Sequence, residues 1–289
     1  MPRIAVIGLG RMGHGMAGRY LDAGFEVAVW NRSKAKADDL IARGARSAAS
    51  PADAATGADA VVTMVADDEA SRAVWLGKDG AIAKMKPGAL AIECSTVSHA
   101  HALDMARELR ARGLIYIDCP VTGLPAAAAS GKLTLLVGAD VADLEKAEPF
   151  LAPLCASIRH FGAVGSGTVF KLINNLMGAV QIASLAEGVA IAERAGLDMN
   201  LVAEALSTGA VASPQVIRHS KRMVARDFSG ASFTTALRHK DAAYAVRLAE
   251  ELLPGVPVSR AALAAYETAK ASIPDDDEGA MIKIVSRPR

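Results

Sequence analysis

A chain of 289 residues can hold one large domain or two of ordinary size. Its 52 % apolar composition, with few aromatics, describes a helix-rich globular protein with a sizeable core. A formal net charge of +1 gives no electrostatic case for nucleic acid or a membrane surface as partner. The scattered Cys94, Cys119 and Cys155 have no metal-ligand spacing, so no metal is expected; they suit reduced thiols in a cytoplasmic protein.

Met1-Pro2-Arg3 leads straight into a first strand, residues 3–7, with nothing resembling a signal peptide. This β-branched apolar run is of the kind parallel strands show when both faces are covered. Gly8, Gly10 and Gly13, interleaved with Leu9, Arg11 and Met12, then give G-x-G-x-x-G where a helix opens. There the chain must turn tightly, its backbone must approach a pyrophosphate, and helix must pack against strand. A second strand over 26–30 ends in Asn31-Arg32-Ser33. An NAD site usually has Asp or Glu at this point to accept hydrogen bonds from the ribose hydroxyls. Here a guanidinium can pair with a 2′-phosphate, and a carboxamide and a hydroxyl can add hydrogen bonds, so NADP is predicted over NAD. Ser33 is also placed to cap the next helix, and both readings can hold together.

Strand patterns follow at 60–65, 89–93, 115–118 and 133–137, with amphipathic segments such as 34–43 and 100–112 between them. The alternation predicts an α/β fold, a Rossmann-type doubly wound parallel sheet with helices on both faces. Its ligands would lie beyond the carboxyl ends of the strands. Three polar clusters fall there: Ala66-Asp67-Asp68 after Val65, Ser95-Thr96, and the segment from Asp118. Within that segment Thr122 and Gly123 offer a hydroxyl and backbone N–H groups to a small carboxylate. They equally read as a turn leaving a strand.

The pattern changes at 162–167, and helical spacing then runs to Ala195, with Gly196 as C-terminal cap. Some thirty residues at about 1.5 Å each make a rod of roughly 45 Å. It is largely apolar over 169–192, but Lys171, Asn174, Asn175, Gln181, Ser184 and Glu187 are expensive in lipid, so burial within protein is expected. Lys171 and Asn175, four apart, share a helix face. They read either as site residues or as a snorkelling lysine beside an asparagine bonded to a loop. Further helices are predicted at 200–207, 235–252 and 260–271. Asp275-Asp276-Asp277-Glu278 lacks calcium-loop spacing and reads as a solvated turn before a last helix. Residues 1–162 are thus expected to form an NADP-binding domain, and 163–289 an all-α C-terminal domain led by a long interdomain helix. That domain would serve substrate binding and oligomerisation, since so apolar a rod points to a homodimer or homotetramer.

Four motifs in this order resemble those of the β-hydroxyacid dehydrogenases. They are GLGRMGHGMA; DCPVTG with A-x-x-G-x-L; GxGxxxKxxNN; and Lys240-Asp241 after Asp227-Phe228 and Phe233. The resemblance covers nearly the whole chain. It implies that Lys171 transfers the proton and Asn175 orients the substrate, with Thr122 and Gly123 holding its carboxylate. It also puts Thr96 beside the nicotinamide ribose, Lys240 along the cofactor and substrate cleft, and Phe233 in the pocket wall. The implied reaction is hydride transfer between a nicotinamide and a small β-hydroxy acid or its semialdehyde, as in 3-hydroxyisobutyrate dehydrogenases. Where the family usually has a second glycine, this chain has Leu124 and then Pro125. Leucine accepts positive φ poorly, so an altered loop and pocket are expected. Three rival readings exist. An imine reductase usually replaces the lysine, and 6-phosphogluconate dehydrogenase is much longer and needs a phosphate pocket. A non-catalytic NADP-binding protein would lose the lysine or the carboxylate loop.

Overall fold

The computed structural model describes residues 1–230 and 232–286, so the last three residues of the expected second domain lie outside it. The chain divides into two compact units, Met1–Lys171 and Leu172–Arg289.

The first unit carries strands β1 (Arg3–Ile7), β2 (Glu26–Trp30), β3 (Arg46–Ser47), β4 (Ala60–Thr63), β5 (Leu90–Glu93) and β6 (Ile115–Asp118), then β7 (Val121–Thr122), β8 (Leu133–Gly138) and β9 (Cys155–Gly162). Their order is β3-β2-β1-β4-β5-β6-β8-β7, with β9 on β8. Every pairing from β3 to β6 is parallel. The first strands run outward in one direction from β1 and the later ones in the other, which is the Rossmann order. β8 then runs antiparallel to β6 and β7, and β9 pairs with it in parallel.

Successive β1 residues explain why that strand is apolar throughout. Ile4 and Val6 join a cluster with Met16 and Tyr20 on one face, while Ala5 and Ile7 join Trp75, Met105 and Tyr116 on the other. Strand β9 was not expected: it is an edge strand whose Arg159, His160 and Phe161 are exposed, so it has no buried apolar run. Segment 34–43 forms a 3₁₀ turn, Lys34–Ala37, and a short helix, Asp38–Ala42. Ser33 occupies the N-cap position but makes no side-chain capping bond, so the expected cap is not formed.

The long helix Ser166–Arg194 begins in the first unit and runs through the second. It ends as expected: Gly196 takes φ +73 and the Leu197 N–H donates to the Ala192 carbonyl at 3.1 Å. Length and apolar composition alone would let this helix cross a membrane. In the second unit its Ala179, Ile182, Ala186 and Val189 form a core with Met223, Ala242, Tyr266 and Met281. The helices Met199–Thr208, Thr235–Leu252 and Pro257–Ser272 match the expected ones closely.

Two features of this unit depart from the sequence reading. An additional helix, Pro214–Ala225, starts with Ser213 accepting the Val216 N–H and stops at Arg226 with φ +53. Its Ser-Pro start is a helix signal in the sequence, obscured by the charge of Arg218, Lys221 and Arg222. The acidic run at 275–278 is not a solvated turn as a whole: Asp277 is 0 % and Glu278 1 % exposed. Both carboxylates are taken inside by buried or half-buried cations, Arg222 on Asp277 and Arg238 on Glu278.

Candidate active site

The three glycines after β1 do different work. Gly8 takes φ +96, and a Cβ there would lie 2.3 Å from the Met64 carbonyl oxygen. A Cβ on Gly13 would lie 1.9 Å from the Gly8 carbonyl oxygen, so glycine is what lets the helix Arg11–Asp22 close onto the turn. Gly10 has an ordinary φ of −70, and a Cβ there would meet no protein atom within 4 Å. It is the N-cap of that helix with no side-chain cap, so the first-turn amides of Arg11, Met12 and Gly13 have no acceptor within the helix. A helix N-terminus with room for an anion fits the pyrophosphate of a dinucleotide.

Asn31 ties the turns together: its Oδ1 accepts the Leu9 N–H at 2.9 Å and its Nδ2 donates to the Ser33 carbonyl at 3.0 Å. Arg32 and Ser33 beside it are exposed. At the ends of β4 and β5, Ser95 Oγ accepts the Val65 N–H at 2.8 Å. The Ser95 N–H in turn donates to Glu93 Oε1 at 3.0 Å. Buried Glu93 also accepts from the Thr63 and Ser71 hydroxyls and the Trp75 indole N–H. The loops carrying Val65, Ala66 and Thr96 are thereby fixed to one carboxylate. Sequence reasoning passed over Glu93, although an acid closing an apolar strand is a signal. Asp67 Oδ1 accepts the Ala70 N–H at 2.8 Å and so caps the helix Asp68–Leu76.

Asp118 is a strut for the long helix. Its carboxylate accepts the Gly165 and Thr168 N–H groups at 3.0 and 2.9 Å and the Thr168 hydroxyl at 2.6 Å. Burial pushes this carboxyl up to about 6, against the pull of the Thr168 and Gly165 hydrogen bonds. About one turn beyond Thr168, the half-buried Lys171 donates from Nζ to the Val121 carbonyl at 2.7 Å. Val121 and Thr122 form β7, and Gly123 follows with φ +137. In the first unit, then, the lysine amine and the Thr122-Gly123 turn are neighbours. Leu124 avoids positive φ: it is extended, φ −97 and ψ 168, and directly precedes the helix Pro125–Ala129. Its side chain is 44 % exposed and takes up volume that a glycine would leave free.

In the second unit Asn175 is buried. Its Nδ2 donates to Asp241 Oδ2 at 2.6 Å, and its Oδ1 accepts from Asn174 at 3.0 Å. Lys240 Nζ lies 3.0 Å from Asp241 Oδ1. Phe233 is half-buried, with the Arg238 guanidinium 4.6 Å from its ring centroid.

Residues 3–162 match the family model described as the NAD binding domain of 6-phosphogluconate dehydrogenase. Residues 165–285 match the one described as NAD-binding of NADP-dependent 3-hydroxyisobutyrate dehydrogenase. With this sheet order and glycine turn, the matches define a nicotinamide-dependent oxidoreductase. The chain belongs to the β-hydroxyacid dehydrogenase family and is a hydroxyacid dehydrogenase acting on a small molecule. It is 34 % identical over 281 residues to glyoxylate/succinic semialdehyde reductase 2, chloroplastic, of Arabidopsis thaliana, covering 97 % of this chain and 78 % of that one. It is 36 % identical over 273 residues to NAD-dependent L-serine dehydrogenase of Pseudomonas aeruginosa, covering 92 % and 91 %. Among solved structures, Mycobacterium tuberculosis 3-hydroxyisobutyrate dehydrogenase with L-serine superposes with a TM-score of 0.89. That pair is 29 % identical, covering 99 % of this chain and 100 % of the other.

Proposed function

We propose that this dehydrogenase uses NADP(H) to interconvert a small β-hydroxy acid and its semialdehyde, with Lys171 as general acid and base. The observation that carries the reading is the 2.7 Å bond from Lys171 Nζ to Val121, the residue before Thr122 and Gly123. A carboxylate held by the Thr122 hydroxyl and neighbouring N–H groups would bring its carbonyl carbon within the amine's neighbourhood. When bound, the nicotinamide supplies or accepts the hydride. In reduction the Lys171 ammonium protonates the carbonyl oxygen as negative charge builds there; in oxidation the neutral amine takes the hydroxyl proton. Lysine amines titrate in the alkaline range, so oxidation should quicken toward high pH. By the family resemblance, Asn175 orients the substrate, Leu124 and Phe233 are substrate-binding residues, and Lys240 is a cofactor-binding one.

NADP is favoured because the end of β2 presents Arg32 and Ser33 and no carboxylate to a 2′-phosphate. The test is NADPH oxidation with glyoxylate, succinic semialdehyde, tartronate semialdehyde and methylmalonate semialdehyde, and NADP reduction with 3-hydroxyisobutyrate and L-serine. Turnover of at least one supports the reading, and inertness toward all of them refutes it. The enzyme is further proposed to act in the cytoplasm as a homodimer or homotetramer, a state that light scattering reads directly.

A further inference from the structure

Arg238, on the helix Thr235–Leu252, is 5 % exposed, and the carboxylate opposite it, Glu278, is 1 % exposed. Nε donates to Glu278 Oε2 at 2.7 Å, and Nη2 donates to the same oxygen. Nη1 points elsewhere and donates to the Asn175 main-chain carbonyl at 2.9 Å. The face of the guanidinium covers the Phe233 ring at 4.6 Å from its centroid. Glu278 holds Phe233 from its other end, since the Glu278 N–H donates to the Phe233 carbonyl at 2.9 Å. Gly178 makes room for the cation: a Cβ there would lie 3.2 Å from Arg238 Nη1.

Stability alone gives a weak reason for this pair, because apolar residues of similar volume often replace a buried ion pair at little or no cost. What an apolar pair cannot supply is a planar fork whose edges and face meet three partners at fixed angles. The third edge and the face reach Asn175 and Phe233, while Asp241, on the same helix as Arg238, holds the Asn175 side chain. We propose that Arg238, held in place by Glu278, is a positioning residue for the substrate side of the active site. It fixes the Asn175 main chain and the Phe233 ring together, and Glu278 is buried opposite it for that reason. The inference rests on the reading that Asn175 and Phe233 meet the substrate.

The test compares wild type, Arg238→Lys and the double variant Arg238→Met/Glu278→Met in steady-state kinetics on the semialdehyde that wild type reduces best. NADPH affinity is read by fluorescence and folding by circular dichroism. Both variants are expected to fold and to bind NADPH within about twofold of wild type. The double variant should lose about tenfold to a hundredfold in kcat/KM for the semialdehyde, the scale of a misplaced orienting group. Arg238→Lys, which keeps the charge but not the fork, should fall between. Folded variants with wild-type semialdehyde KM and kcat overturn the proposal. So do variants that lose fold or NADPH binding together with activity, since the pair would then be merely structural. A wild-type enzyme inert on every substrate instead refutes the functional reading itself, a result visible before any variant is made.

Discussion

The Lys171 amine donates to the main-chain carbonyl oxygen of Val121 across 2.7 Å, joining the head of the long helix to β7. Asp118 sets that geometry at both ends: it terminates β6 and it binds Gly165 and Thr168 at the start of the helix. The lysine is therefore aimed by backbone and a buried carboxylate, not by its own flexible stem.

Asp118 titrates where that arrangement can be measured. Its carboxyl stands at about 6 in the fold against an ordinary 3.8, so the folded state holds the proton more tightly than the unfolded chain. Stability from the protonated form is fully present below pH 3.8 and is lost as pH rises through 6, by about 3 kcal/mol in total. Asp118→Asn cannot titrate and leaves an N–H donor unpaired, so it should be less stable throughout. Its deficit should shrink by up to about 3 kcal/mol between pH 4 and pH 7. Urea midpoints of the two proteins at both pH values measure this; a deficit that is constant or grows contradicts it.

Gly10 and Gly13 should respond differently to alanine. At Gly13 the new Cβ collides with the Gly8 carbonyl, and the strain of about 1–3 kcal/mol outweighs the helix-propensity gain of about 1 kcal/mol. At Gly10 the Cβ enters space no protein atom fills, so stability should change by less than about 1 kcal/mol. Dinucleotide affinity should nevertheless fall tenfold or more, because that space is the one proposed for the pyrophosphate. Thermal melts without cofactor, paired with NADPH titrations, separate the two effects.

Arg32→Asp replaces the guanidinium proposed for the 2′-phosphate with a carboxylate that repels it and can accept from ribose hydroxyls. KM for NADP should rise by about tenfold or more, and KM for NAD should fall. The ratio of kcat/KM values for the two cofactors reads the outcome. An unchanged ratio removes Arg32 from cofactor selection.

How much was legible in the sequence depended on how local the cause was. The first strand, the glycine turn and the 26–30 strand could be read because burial on both faces and glycine spacing act within a few residues. The backbone at Leu124 has a local cause too: Pro125 pushes the preceding residue to extended backbone, away from positive φ. The supports of the site were not legible. Asp118 acts through Thr168 and Glu278 through Arg238, so each takes its role from a partner the fold brings from far along the chain. In a run of acids Glu278 looks solvated until the cation opposite is known.

Lys171 is proposed to move the proton. The most direct test is kcat of Lys171→Ala for the semialdehyde that wild type reduces best, at saturating NADPH and with NADPH binding verified. The account predicts a fall of about two orders of magnitude or more, the contribution of general acid–base catalysis. A folded, NADPH-binding variant with near-wild-type kcat would contradict it.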